Sequence, residues 1–348
     1  MTLLANGLAD QGHHVDMLLV KATGPYLADL SESVKVIDLH ARGTMTGILP
    51  LAKYLRAEKP DVLISTLDHA NIAAILARRL SGVSTPVIPT VHIPHSKAAA
   101  HSTGFRSRMI YVAVKWCYRW ADAIVAVSHG TADDIVQTSG VPRELVHVIY
   151  NPVITPEIEE LAKEPLDHPW FVSGGPKVIL GVGRMRPQKD YPTLIQAFAL
   201  VRKEHDCRLL ILGEGGERSR LEQLVSDLGL SADVDLPGFV KNPFAYLARS
   251  SLLVLSSAWE ALPTVLIEAL ALDVPIVSTN CRTGPDEILA DGRYGRLVPV
   301  GDAPAMAGAI TDTLRETRSE PPEEHLRQFT LPVAVDEYLK LIAEVIDA

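Results

Sequence analysis

Two glutamates separated by seven residues, Glu260 and Glu268, lie in the segment SSAWEALPTVLIEALAL (256–272). Glu260 follows LLVLSS, an apolar run that reads as a buried strand. Pro263 suits a first helical position, and TVLIEALAL continues as a helix. Glu260 is therefore expected in the turn before a helix N-terminus, with Glu268 on its second turn. At about 1.5 Å of rise per residue, Pro263 to Glu268 spans roughly 7–8 Å. Two carboxylates so placed could grip the two ends of one ligand, its anionic middle lying over the N–H groups of the helix start. Taken alone, the pair reads more simply as two solvated charges on an amphipathic helix.

A second pair changes that balance. Arg184 and Lys189 sit in GVGRMRPQKD (181–190), directly after the apolar run KVILGVG. The carboxyl ends of strands are where open α/β sheets bind ligands. An Arg there offers a forked donor to phosphate oxygens, and a Lys offers a mobile point charge. The simpler reading is a surface basic pair after a strand. GVGRMR is not a dinucleotide fingerprint, because Arg186 stands at the third glycine position.

Further along come LGEGGE (212–217), LPGFV (236–240) and GPDEILADG (284–292). On these motifs and in this order, the chain resembles the large family of retaining glycosyltransferases numbered four. The resemblance covers nearly the whole chain and is most specific in the second half. It implies the GT-B fold, an α/β architecture of two doubly wound Rossmann-like domains facing a central cleft.

The resemblance also implies roles. Arg184 and Lys189 would hold the diphosphate of a nucleotide-sugar donor and stabilise it as it leaves. Glu268 would accept hydrogen bonds from the ribose hydroxyls. Glu260 would contact hydroxyls of the transferred sugar and lend negative charge near an oxocarbenium-like centre. The family usually has Gly directly after the first glutamate; here that residue is Ala261, which disfavours a positive φ. Backbone amides of Leu262, Pro263, Thr264 and Val265 would complete the anion cradle. Gly183 belongs to the same donor site, and main-chain groups around Gly238 and Val240 would read the base edge. In the first half, TVHIPH puts His92 at the end of a strand, where family members carry a functional His that contacts the donor sugar. His95 competes for that role, and both also read as structural. Asn151 falls at the family's hinge and reads equally as a turn residue before proline.

One departure concerns the first domain. Chains of this family open with a strand and a Gly-rich turn ahead of the helix that here begins near Thr2. The first domain is therefore expected to lack that strand, which is central in a doubly wound sheet.

The elements that must position these residues follow an alternating pattern, which implies parallel sheets flanked by helices. In the first half the expected strands are VDMLLV, VKVIDL, DVLIST, PVIPTVH, DAIVAVS and VHVIYN. In the second half they are KVILGVG, CRLLILG, VDLPGF, LLVLSS, PIVSTN and GRLVPV. MTGILPLAKYLRAE, NIAAILARRLSG and the terminal VAVDEYLKLIAEVIDA read as helices. The expected organisation is an acceptor-side domain over 1–152, a proline-rich linker over 153–175 and a nucleotide-sugar-binding domain over 176–330. A final helix over 331–348 returns to the first domain in the resembling fold.

Composition excludes several classes. A chain of 348 residues, 47% hydrophobic and 22% charged, is globular rather than disordered. The net charge of −9 argues against a nucleic-acid partner. No apolar run approaches the roughly 20 residues a membrane-spanning helix needs. The N-terminus lacks the basic and cleavable features of a signal peptide, so a cytoplasmic location is expected. Cys117, Cys207 and Cys281 are widely spaced and odd in number, reading as reduced core thiols.

Two segments carry competing readings. Residues 97–120 hold five Lys or Arg and no acids, with Phe, Tyr and Trp interleaved. They could contact a lipid-linked acceptor or an anionic membrane surface. The preferred reading is a long helix packed on the sheet with its basic face in water, since the aromatics also fit a core. Asp233-Val234-Asp235 spells the metal signature of a different glycosyltransferase fold. Here it leads into the strand VDLPGF of a Rossmann-like domain rather than a cation-binding loop, so no metal site is expected.

The expected function is thus a retaining, metal-independent, hexosyltransferase-type transfer. The donor is a nucleotide diphosphate sugar, with UDP favoured on family frequency, and no other cofactor is required. The acceptor is a glycan or lipid-linked hydroxyl. Alternatives are a GT-B nucleotide-sugar epimerase, a non-catalytic donor- or carbohydrate-binding protein, and, most weakly, a nicotinamide oxidoreductase.

Overall fold

A computed structural model describes residues 1–96, 105–316 and 323–347. The chain divides into two compact units, Met1–Pro152 with Gln328–Ala348, and Val153–Arg327. All twelve of the apolar runs expected as strands form strands.

The first unit begins with α1 (Thr2–Asp10), β1 (Val15–Leu19) and β2 (Val34–Asp38), followed by α2 (Ile48–Glu58), β3 (Leu63–Thr66) and α3 (Asp68–Ser81). It continues with β4 (Val87–Val91), α4 (Phe105–Cys117), β5 (Ile124–Ala126), α5 (His129–Ser139) and β6 (Val146–Val148). Its strands are parallel but fall into two sheets, a pair β1-β2 and a four-stranded β3-β4-β5-β6. Strand alternation sends successive side chains to opposite faces. Val87, Val91, Ile124 and Ala126 pack with α2 and α3, while Ile88 and Val125 join a second cluster with Leu4 and Leu8 of α1.

The second unit starts with α6 (Pro156–Lys163), inside the stretch expected as a linker. Its core elements are β7 (Lys177–Val182), α7 (Tyr191–Val201), β8 (Cys207–Leu212), α8 (Arg218–Asp227), β9 (Val234–Gly238) and α9 (Phe244–Arg249). After these come β10 (Leu252–Leu255), α10 (Thr264–Ala271), β11 (Ile276–Thr279), α11 (Pro285–Ile288), β12 (Arg296–Val298), α12 (Ala303–Arg315) and α13 (Glu323–Arg327). One parallel sheet runs β12-β11-β10-β7-β8-β9. Strand order reverses between β7 and β10, the strands whose carboxyl ends carry Arg184 with Lys189 and Glu260. Such a reversal opens a crevice where ligands bind. The fully buried Ile179, Leu209, Ile211 and Leu252 belong to the core between sheet and helices. The 153–175 stretch is anchored to this unit. Arg249 donates to the carbonyls of Ala162 (2.8 Å) and Glu164 (2.9 Å), and Asn242 donates to that of Leu161 (2.8 Å).

The last helix, α14 (Leu331–Asp347), belongs to the first unit. Val335, Tyr338 and Leu341 cluster with Leu4 and Leu8, covering one face of the four-stranded sheet.

Two expectations need adjustment. The segment 97–120 lies partly outside the described residues, its description starting at 105. Within it Tyr118 is buried and Tyr111 is half-buried against His95, but Trp116 and Trp120 face water, so the reading that placed the aromatics in a core fails for the two tryptophans. Helix α10 begins at Thr264, one residue after the expected Pro263, which caps it with φ −71° and ψ 95°.

Candidate active site

The loops after β7, β8, β9, β10 and β11 leave the carboxyl edge of the second unit's sheet, and backbone and side-chain hydrogen bonds join them. The Gly183 N–H donates to the Leu212 carbonyl (2.9 Å) and Met185 N–H to Glu214 (2.9 Å). Gly213 N–H donates to Gly238 (2.8 Å), joining the ends of β8 and β9. Gly213 has φ +138°, and a Cβ there would stand 2.1 Å from the Gly183 carbonyl oxygen. Only glycine lets these two loops approach so closely. The expected donor-binding Gly183 and Gly238 are thus placed together, with the Gly183 N–H and Gly238 carbonyl engaged in holding the edge. Val240 follows, half-buried, beyond Gly238.

Across the reversal point, the loops after β7 and β10 are joined by side chains and by one backbone hydrogen bond. Ser256 Oγ donates to the Lys189 carbonyl (2.7 Å), Ala258 N–H to the Gln188 carbonyl (2.8 Å) and Gln188 Nε2 to the Trp259 carbonyl (2.9 Å). At the centre, Lys189 Nζ lies 2.7 Å from Glu260 Oε1. Ser257 Oγ donates to the same oxygen at 2.7 Å, and Gln188 Nε2 approaches Glu260 Oε2 at 3.3 Å. Glu260 is buried, so its charge is sustained by this paired cation and these donors. The Thr283 hydroxyl donates to the Glu260 carbonyl, fixing the backbone as well. Arg184 is exposed, and its guanidinium has no partner among the described residues.

Ala261 is not strained, since it is absent from the residues with positive φ. The close approach falls instead at Gly284 of the GPDE motif. It has φ +94°, and a Cβ there would meet Pro263 Cδ at 2.7 Å and the Ala261 carbonyl oxygen at 2.8 Å. Gly284 therefore buttresses the Ala261–Pro263 turn that launches α10. The first-turn N–H groups of that helix, from Thr264 and Val265, precede its internal hydrogen-bond ladder. Leu262 is buried in the same turn. Pro263 has no N–H, so the expected cradle of four amides reduces to three. Glu268 is half-buried on α10. Burial raises its pKa, while the Thr264 hydroxyl and the Lys189 charge act in the opposite direction. Lys189 thus acts electrostatically on both glutamates.

His92 lies in the first unit, after β4, with Nε2 3.1 Å from Thr90 Oγ1. Burial pushes its pKa down to about 4, so the imidazole is neutral at pH 7. His95 is fully enclosed, with Nε2 2.8 Å from Asp68 Oδ1 and its ring against Tyr111 and Tyr118. Of the two histidines, His95 is the more deeply held and His92 the more accessible.

Asp233 precedes β9 and Asp235 lies within it, and the two have different partners. Asp233 forms ion pairs with Arg202 (3.1 Å) and Arg208 (3.2 Å), whereas Asp235 meets His168 (3.2 Å). Burial raises the thiol pKa of Cys207 to about 11 and of Cys281 to about 12.

Sequence reasoning did not single out Gln188, Ser257 or Thr283. The first two are polar side chains beside Lys189 and just ahead of Glu260, at strand ends where ligand loops start. That position was the available signal.

A parallel sheet with a reversed strand order, and a cation–carboxylate pair at the reversal, define an open α/β unit with a polar crevice at its carboxyl edge. Comparison with known proteins specifies it further. Residues 163–329 match the family model "Glycosyl transferases group 1" and residues 1–156 match "Glycosyltransferase Family 4". The chain belongs to this glycosyltransferase family, with the GT-B fold.

Among curated relatives, an uncharacterized glycosyltransferase, MJ1059 of Methanocaldococcus jannaschii, is 31% identical over 244 residues. That match covers 69% of this chain but only 60% of the relative's length. The lipopolysaccharide core biosynthesis glycosyltransferase LpsE of Rhizobium meliloti is 30% identical, with 98% of this chain and 93% of LpsE covered. Among solved structures, Anabaena Alr3699/HepE in complex with UDP and glucose superposes with a TM-score of 0.77 at 21% identity, covering 98% of this chain and 95% of that one.

Proposed function

We propose that this protein transfers a hexose from a UDP-sugar to a hydroxyl group of a glycan or lipid-linked acceptor, retaining the configuration at the anomeric carbon. The observation that carries the proposal is the arrangement of Arg184, Lys189, Glu260 and Glu268 around the strand-order reversal. HepE, bound to UDP and glucose, supports a uridine donor. LpsE, named for lipopolysaccharide core biosynthesis, supports a glycan acceptor on a lipid anchor.

In this reading the diphosphate lies between Arg184 and the start of α10, with Lys189 reaching it from its place beside Glu260. Two side-chain cations and the helix N-terminus meet the charge that develops as the sugar–phosphate bond breaks. Transfer without a metal ion rests on that supply of positive charge from the chain itself. Glu268 accepts the two ribose hydroxyls, and Glu260, fixed by Ser257 and Gln188, accepts sugar hydroxyls. The neutral His92 ring is suited to a hydrogen bond with a sugar hydroxyl.

The chemical step is a same-face substitution. The acceptor oxygen bonds to the anomeric carbon as the bond from that carbon to the phosphate oxygen breaks. The acceptor proton passes to the departing phosphate oxygen, giving UDP and the glycoside. No protein general base is demanded.

Incubation with a UDP-hexose and an oligosaccharide acceptor, in the presence of a chelator, tests the reading. Formation of UDP and an α-linked product, seen by proton NMR of the new anomeric signal, is the expected result. A β-linked product from an α-linked donor would refute retention, and activity only on adding back a divalent cation would refute metal independence.

A further inference from the structure

Helix α4 and the short 3-10 turn Tyr118–Trp120 that extends it are apolar on both faces, unlike a helix that simply covers a sheet. The inner face is ordinary: Val114, Cys117 and Tyr118 are buried in the core with α3 and the strands. The outer face carries Met109, Val112, Trp116 and Trp120, which are 49%, 52%, 62% and 40% exposed. Their spacing of three, four and four residues puts them in one stripe. A surface helix normally turns charged or polar residues to water along such a stripe.

The stripe has a one-sided charge. Residues 105–120 contain no Asp or Glu, in a chain whose net charge is −9. Lys115 and Arg119 are exposed on the same helix. The Arg119 guanidinium lies 5.8 Å from the Trp116 ring centroid, and Arg79 of α3 stands 4.1 Å over the Trp120 ring. Indole rings flanked by guanidinium groups suit the boundary between headgroups and acyl chains, where tryptophan's apolar body and polar N–H are both accommodated. Basic side chains beside the ring would meet anionic headgroups.

We propose that the Met109–Val112–Trp116–Trp120 face docks this protein on the surface of an anionic phospholipid bilayer. The occupant is a lipid surface rather than a spanning environment, since among the described residues no helix is long and apolar enough to cross a membrane. A groove for an apolar protein partner would not select for a cation beside each indole, whereas a negatively charged bilayer does. The inference goes beyond the transferase reading and does not depend on it, because none of these residues belongs to the donor site.

The test is co-sedimentation of the full chain with phosphatidylcholine vesicles, with and without phosphatidylglycerol. Binding is expected to be roughly tenfold stronger to the anionic vesicles and to weaken as salt is raised. Tryptophan emission should shift to the blue on binding. The double variant Trp116→Ala/Trp120→Ala should lose most of the binding while keeping the wild-type affinity for UDP. Lys115→Glu/Arg119→Glu, which leaves the apolar stripe intact, should abolish the preference for anionic lipid. It also serves if the tryptophan variant proves unstable. Equal partition onto neutral and anionic vesicles, or unchanged binding by both variants, would overturn the proposal. So would wild-type self-association that is lost in the tryptophan variant without any vesicle binding, since a second copy would then cover the face.

Discussion

Lys189 Nζ sits 2.7 Å from Glu260 Oε1, so a cation expected to grip the donor's diphosphate is already paired with the carboxylate expected to grip its sugar. A diphosphate entering the site competes with Glu260 for that ammonium. Removing the carboxylate's charge should therefore make nucleotide binding easier and transfer harder. Glu260→Gln is expected to bind UDP about five- to tenfold more tightly than the wild type while losing roughly a hundredfold in turnover. Calorimetry and a coupled UDP-release assay measure the two separately. Weaker UDP binding by this variant would show that Lys189 stays with residue 260 when the nucleotide is bound.

Ser257 and Gln188 touch Glu260 rather than the space assigned to the nucleotide. Ser257→Ala should cost about 1 kcal/mol of carboxylate positioning, or a fivefold fall in kcat, with UDP affinity little changed. Steady-state kinetics with saturating acceptor separates these quantities. A rise in donor KM at constant kcat would place Ser257 in nucleotide binding instead.

Gly284 holds a positive φ directly against the Ala261–Pro263 turn. Gly284→Ala adds a methyl at 2.7–2.8 Å from that turn and strains its own backbone. A loss of about 1–3 kcal/mol in unfolding free energy is expected, together with weakened UDP binding, because the start of α10 must shift. Urea denaturation checks the first effect and calorimetry the second.

Acidification acts on two groups in opposite senses. His92 has a folded pKa of about 4, below the ordinary value of 6.5. Between those values the unfolded chain binds more protons than the folded one. Stability should therefore fall as pH drops through that window, and His92→Gln should flatten the dependence. Glu268 has its pKa raised by burial. The folded chain holds that proton at higher pH than the unfolded chain does, so its contribution favours folding as pH falls toward the raised value. The same protonation removes an acceptor for the ribose, so UDP affinity should decline over that range. Thermal unfolding and calorimetry between pH 4 and 7.5 resolve the two effects.

Much of the scaffold was legible because parallel strands buried on both faces are near-continuous apolar runs. KVILGVG and LLVLSS read as strands for that reason, and they prove to be the two that flank the reversal. What lies outside that signal is non-local. Nothing in a linear pattern brings Gln188 and Ser257 onto one carboxylate, because the contact depends on which strands become neighbours. The 156–163 helix was hidden by surrounding prolines that suggested a bare linker. The aromatics of 97–120 fit a core by their apolar character, which does not say whether protein or solvent lies against Trp116 and Trp120.

The proposed nucleotide-sugar site rests on the residues around the reversal. Titration of the purified chain with UDP, GDP and ADP, beside the Glu268→Ala variant, addresses it most directly. Saturable binding of UDP in preference to the other two, weakened at least tenfold by Glu268→Ala, is the predicted result. Binding of UDP unaffected by Glu268→Ala, or no binding of any of the three, would contradict it.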